Sequence, residues 1–214
     1  MTSSTTLDPA SAEVTSLEDA LFVLRGSYAA RVADRIGVPA ERRVVVHRQL
    51  YPAEIPWAPV LVAVGAGRDR AFRDRLDATA FLRGIPSVGL ELLPTQLVCG
   101  PAVRPGRTAC YVCYTRRLDQ HGVAHPATDA ATMDLPEGYG PEHVAIGVGL
   151  LRDAVDEVTG DRDVTGGIGG TVRTLDLVTG ALSVAPTTAV NLCGRCGGRY
   201  ADQRTGLGAV AGLA

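Results

Sequence analysis

The sequence predicts an open α/β sheet, and three observations carry that prediction. Between residues 19 and 99, short apolar runs alternate with amphipathic stretches of helical period. Turn formers such as Gly26-Ser27, Pro52, Pro56, Pro59 and Gly100-Pro101 fall between the runs. The chain has 214 residues, 46% apolar and 21% charged, which suits one domain with a sizeable core.

The first strand is Ala20-Leu21-Phe22-Val23-Leu24, ended by Gly26-Ser27. Residues 28–37 place Ala29, Val32 and Ile36 on one face and Arg31, Asp34 and Arg35 on the other, the pattern of a surface helix. Arg43-Val44-Val45-Val46-His47 is β-branched and short, a second strand. After the three prolines, Val60-Leu61-Val62-Ala63-Val64 is wholly apolar, as a parallel strand covered on both faces requires. Residues 69–83 form a charged helix that turns Phe72, Leu76 and Ala80 inward, and strands follow at 87–92 and 95–99.

Residues 109–121 are expected to be helical and 123–140 a long loop. Pro141 suits a helix first turn. In that helix Val144, Val148, Leu151, Val155 and Val158 recur every three or four residues, ending at Gly160. Ile146 and Leu150 widen the stripe beyond one face, which marks them, with the tail Leu207 to Ala214, as candidate contacts of a homodimer or heteromer. A flexible loop is expected over 161–170, then a hairpin of Val172–Val178 and Leu182–Ala185 turning at Thr179-Gly180. Residues 1–18 are expected to be a disordered N-terminus and 201–214 a flexible tail, leaving 19–200 as the domain.

The net charge is −2, from 21 basic and 23 acidic residues, and a dedicated nucleic-acid or acidic-membrane binder would show a basic excess. Every cation is arginine, so chemistry that needs a lysine, such as a phosphate-loop lysine or a Schiff base, is excluded. Met1 to Ser16 lacks the basic flank and apolar core of a signal peptide, and no apolar run approaches the roughly 20 residues of a membrane span. A cytoplasmic location is expected, where five cysteines point to metal or redox chemistry before disulfides.

Four of the five form two pairs, Cys110-Tyr111-Val112-Cys113 and Cys193-Gly194-Arg195-Cys196. Together they are a complete tetrahedral thiolate set for zinc. With residues 114–192 between them, zinc would clip sequence-distant segments together, and four sulfurs leave no open position for a substrate, so the site is structural. Arg107, Arg116, Arg195 and Arg199 are near enough in sequence to offset the thiolate charge, as is a helix N-terminus at Cys110. A redox dithiol in either pair is the alternative reading. Cys99 ends an apolar strand and reads as core. His121 and His125 are four apart but flanked by Gly122 and Pro126, so they read as loop residues, and His47 and His143 have no partner spacing. Asp161, Asp163 and Gly166-Gly167-Ile168-Gly169-Gly170 offer too few carboxylates for calcium and no preceding strand for a phosphate loop.

The stretch Gly100-Pro101-Ala102-Val103-Arg104-Pro105-Gly106-Arg107-Thr108-Ala109-Cys110-Tyr111-Val112-Cys113 resembles the zinc-bearing segment of ThiF and ubiquitin-activating-type proteins. It is most similar to the ThiF-like partner proteins of YcaO cyclodehydratases, which serve pathways to thiazole- and oxazole-modified peptides. In that family a second cysteine pair followed by glycine completes the zinc site, and Cys193-Gly194-Arg195-Cys196-Gly197 matches it. The resemblance implies a Rossmann-like, ThiF-type sheet with a zinc-clipped C-terminal helix and hairpin region. It also sets the departures. An adenylating member has a glycine-rich loop after its first strand, where this chain has Leu24-Arg25-Gly26-Ser27-Tyr28. Where a ribose-binding carboxylate would follow the second strand stand His47, Arg48 and Gln49, and Gly65-Ala66-Gly67 follows a later strand. The residues before the first strand are too few for the winged-helix peptide-recognition domain of full-length partners. The resemblance therefore implies a non-catalytic scaffold or partner subunit in azoline- or azole-type peptide biosynthesis. Its partners would be a YcaO-type or other modifying enzyme and, secondarily, its precursor peptide. An enzyme of the ThiF-like class with an unrecognised nucleotide or substrate site remains the alternative. A zinc-knuckle nucleic-acid binder is disfavoured by the acidity and by only 5% aromatic residues.

Overall fold

A computed structural model describes residues 16–122, 138–160 and 170–197, which build one seven-stranded sheet flanked by helices. Strands β1 (Leu21–Arg25), β2 (Arg43–Val45), β3 (Leu61–Ala66) and β4 (Ser87–Leu92) are parallel in the order β2-β1-β3-β4. The sheet continues antiparallel through β5 (Gln96–Cys99), β6 (Thr171–Asp176) and β7 (Leu182–Pro186).

Alternation within each strand divides the core. Phe22, Leu24, Val62, Val64, Leu90 and Cys99 point to one face, covered by α1 (Gly26–Ile36) and α4 (Pro141–Thr159). Leu21, Val23, Leu61 and Ala63 point to the other, covered by α2 (Arg70–Arg83) and by Val46, Leu50 and Ile55 of the segment before β3. Both faces of β1 and β3 are thus buried, which is why these strands read as unbroken apolar runs. The remaining α-helix, α3 (Tyr111–Gln120), lies beside α2.

From β1 the chain passes through α1 to β2 on one side, then returns to lay β3 on the other. This switch opens a crevice beyond the carboxyl ends of β1 and β3, where open α/β sheets hold their ligands.

The expected elements all form, with shifted ends. Leu17, expected outside the domain, sits in a short 3₁₀ turn over Leu17–Asp19 and is buried against α4. The assignment of Leu150 to a subunit contact is corrected, because that side chain is buried in the core while Ile146 is 40% exposed. The reason is the position of α4, which packs at once on α1, on β4 and β5, and on the 3₁₀ turn. A helix covered on several sides needs an apolar surface wider than one face. The remaining expectations for 1–15, 123–137, 161–169 and 198–214, including the two loops, His125, Arg199 and the tail, lie outside the described residues. Among the described residues no helix is long and apolar enough to cross a membrane.

Candidate metal centre and sheet crevice

The first cysteine pair is set by a turn and a helix start. Thr108 Oγ1 accepts the Arg104 N–H at 2.7 Å, and the chain enters α3 with Cys110 as its N-cap in extended conformation. Cys113 follows in the first helical turn, so both sulfurs project from the helix N-terminus, where the partial positive charge favours thiolates. The second pair follows β7. Arg117 of α3 reaches across to it, donating to the carbonyls of Thr188 (3.3 Å) and Ala189 (2.9 Å). The turn then closes on itself through Gly197 N–H to the Cys193 carbonyl at 2.7 Å.

These two segments bring the four sulfurs together. Cys110 Sγ lies 3.6 Å from Cys193 Sγ, Cys113 Sγ lies 3.5 Å from Cys196 Sγ, and the Cys110–Cys113 separation is 3.9 Å. All four lie within 4.8 Å of one another. A tetrahedral thiolate site with metal–sulfur bonds near 2.3 Å has sulfur–sulfur edges of about 3.8 Å, so the set fits such an ion and is too wide for disulfides. Cys110, Cys113 and Cys193 are buried and Cys196 is partly so. The Val190 N–H donates to Cys113 Sγ at 3.3 Å, the kind of outer contact that holds a ligand in place. A bound ion would cross-link α3 to the segment after β7.

Of the four arginines expected to offset the thiolate charge, one is engaged elsewhere. Arg195 grips Asp74 in a two-pronged pair, at 2.7 and 3.2 Å, and reaches Asp77 at 2.8 Å. It therefore fastens the second knuckle to α2. Asp77 is fully buried; burial pushes its carboxyl up, while Arg73 and Arg195 pull it back. Cys99 stands apart on the α4 face, fully buried, with its thiol donating to the Leu150 carbonyl at 3.4 Å. Burial pushes that thiol up to about 12, which suits a core side chain and not a nucleophile. His143 Nδ1 accepts the Gly140 N–H at 3.0 Å and helps start α4, and His121 ends α3.

The crevice at the switch point is filled by the protein's own charges. β1 ends on Arg25, which lies opposite Gly65 of β3 and pairs with Asp69. The other oxygen of Asp69 accepts the Phe72 N–H at 2.9 Å, so the N-terminus of α2, a natural anion site, is occupied by its own carboxylate. Behind this pair Arg68 donates to Glu91 at 3.1 Å, with the two side chains 9% and 11% exposed. Burial pushes the Glu91 carboxyl up, against the pull of Arg68 and Arg73. Arg73 runs under the sheet, donating to the carbonyls of Val88 and Pro101 and lying 5.5 Å from the centre of the Tyr111 ring. The cavity left among Arg25, Gly67, Asp69, Arg73 and Glu91 measures about 10 Å³, room for about one water. His47, Arg48 and Gln49, after β2, are exposed. The sequence reading missed Arg68, Arg73, Asp77 and Glu91; the available signal was Gly89, a glycine inside a strand, which marks close approach.

No protein-family model matches the chain, and no curated protein matches it. Solved structures do. The E. coli microcin synthetase McbBCD complex superposes with a TM-score of 0.57 at 12% identity, over 87% of this chain and 71% of that one. The heterocyclase TruD superposes with a TM-score of 0.54 at 18% identity, over 89% of this chain and 29% of that one. E. coli MccB with MccA gives a TM-score of 0.51 at 13% identity, over 72% of this chain and 45% of that one. The chain thus spans under a third of the heterocyclase's length. At such identities the likeness is one of fold, and the fold is the Rossmann-like, ThiF-type open sheet with a cysteine cluster near its C-terminal end.

Proposed function

We propose that this protein is a non-catalytic partner subunit in the biosynthesis of ribosomal peptides carrying azoline or azole rings. On this reading it is a rigid platform that docks a peptide-modifying enzyme of the YcaO type, with the precursor peptide as a second partner. Two of its structural neighbours are a heterocyclase and a microcin synthetase complex, and a third is MccB solved with MccA, which favours this setting. The four cysteines are read as a structural zinc site, Cys110, Cys113, Cys193 and Cys196, which fixes the surface that α2, α3 and the second knuckle present.

One observation carries the non-catalytic half of the reading: the crevice at the sheet's switch point is filled by Arg25, Asp69, Arg68, Glu91 and Arg73. A nucleotide would have to break two largely buried ion pairs and displace the cap of α2 before its phosphates met a backbone N–H. Calorimetry with ATP and magnesium is the test. No binding at millimolar nucleotide is expected, and a micromolar isotherm would put the enzyme reading in place of this one. The docking half is tested by co-purifying the tagged chain with a YcaO-type enzyme from the same biosynthetic system. A folded protein that never associates with one would remove that half.

A further inference from the structure

We infer that the groove where α2, α3 and the second cysteine knuckle meet binds an extended protein segment that carries an apolar side chain beside a carboxylate. The inference rests on the reading of the chain as a protein-facing partner and names the surface that does the work. The groove is an open channel with about 400 Å³ of accessible space, against about 10 Å³ left in the sheet crevice. Phe81 and Leu82 line it from α2, Val112 and Arg116 from α3, and Gly194 and Arg195 from the knuckle.

Its chemistry is lopsided in a way that selects a ligand. Leu82 is 87% exposed, and together with the partly buried Phe81 and Val112 it offers an apolar strip open along one side. An open strip suits a chain laid along it better than a small molecule that must be enclosed. Of the two cations, Arg195 is committed to Asp74 and Asp77. Arg116 is exposed and has no ion-pair partner among the described residues. It is therefore the groove's available charge, and its complement is a carboxylate. A nucleic-acid strand fits poorly, because it brings a charge at every phosphate and the groove has one uncommitted arginine to meet them.

The test uses the full chain and a short fluorescent peptide alternating Leu and Glu, with two relatives, one replacing Glu by Lys and one replacing Leu by Ser. Anisotropy is expected to show the Leu/Glu peptide binding about tenfold more tightly than either relative. Arg116→Glu should reverse the preference, so that the Leu/Lys peptide binds best, and Leu82→Ser should weaken both. Both positions are exposed, so the variants should keep the parent's circular dichroism and metal content. Equal binding of the Glu and Lys peptides, or a preference that Arg116→Glu leaves unchanged, would overturn the inference. The outcomes separate from those of the functional reading: peptide binding without any associating enzyme keeps the groove and removes the reading, and the converse removes the groove alone.

Discussion

The guanidinium of Arg73 occupies the space that a side chain at Gly89 would need: a Cβ there would come within 2.8 Å of Arg73 Cζ. Helix α2 and strand β4 are thus keyed together by a charged group laid on bare backbone. The same guanidinium donates to the Val88 and Pro101 carbonyls, so it joins the start of β4 to the chain just after β5.

Gly89→Ala should therefore behave as overpacking and not as a mild gain in strand propensity. A cost of about 1–3 kcal/mol is expected. Thermal unfolding should show it as a fall in Tm of roughly 2–4 °C per kcal/mol for a chain of this size. A Tm equal to or above the parent's would show that Arg73 has another place to go.

Metal analysis of freshly purified protein should give one zinc per chain. Cys110→Ser should lose the metal and either aggregate or melt far below the parent, since structural zinc contributes on the order of 10–16 kcal/mol in small peptides. Cys99→Ala should keep full metal content, because its sulfur lies on the α4 face, outside the four-cysteine cluster. Zinc well below one equivalent in unchelated protein would rule the site out.

Asp69→Ala removes both a helix cap and the partner of Arg25. A lost cap costs about 1 kcal/mol and a broken buried pair about 3–5 kcal/mol. Asp69 is 23% exposed, so solvent screens part of this and a total of about 3 kcal/mol is expected. Urea unfolding measures it. An Asp69→Ala variant that also gained ATP affinity would identify the ion pair as the barrier to nucleotide entry.

The β6–β7 turn supplies a pH test. Asp176 accepts the N–H groups of Thr179 at 2.8 Å and Val178 at 2.9 Å, and these bonds hold its carboxyl below its ordinary value. A carboxylate lowered on folding stabilises the protein above its unfolded pKa, and that contribution is lost as pH falls through the folded one. Parent and Asp176→Asn should therefore converge in stability on acidification, with the parent ahead at neutral pH. A difference that stays constant with pH would mean the turn does not depend on the charge.

Much of this architecture was legible because its determinants are local. The apolar run Leu61–Val64, the hairpin turn at Thr179-Gly180 and the cysteine spacing each encode their own structure within a few residues. What escaped depends on what packs opposite. Arg73 and Asp77 lie one position beyond Phe72 and Leu76 on α2 and look from the sequence like the start of a solvated face. They are buried because Gly89 leaves room for one and the knuckle's Arg195 neutralises the other, and neither partner is nearby in sequence. Leu150 escaped for the same reason, since nothing in the helix itself tells how many of its sides will be covered.

The two halves of the cysteine cluster are 83 residues apart, and that distance is also a delay. At about 5–20 residues per second, ribosomal synthesis releases Cys110 and Cys113 roughly 4–17 s before Cys193 and Cys196. During that wait the early pair lacks its two partner cysteines, and for most of it β5 has an open outer edge because β6 has not yet been made. The nascent chain is then most exposed to oxidation and to pairing with a neighbour. Expression in reducing medium, with zinc supplied during growth and not at lysis, should raise the yield of folded protein.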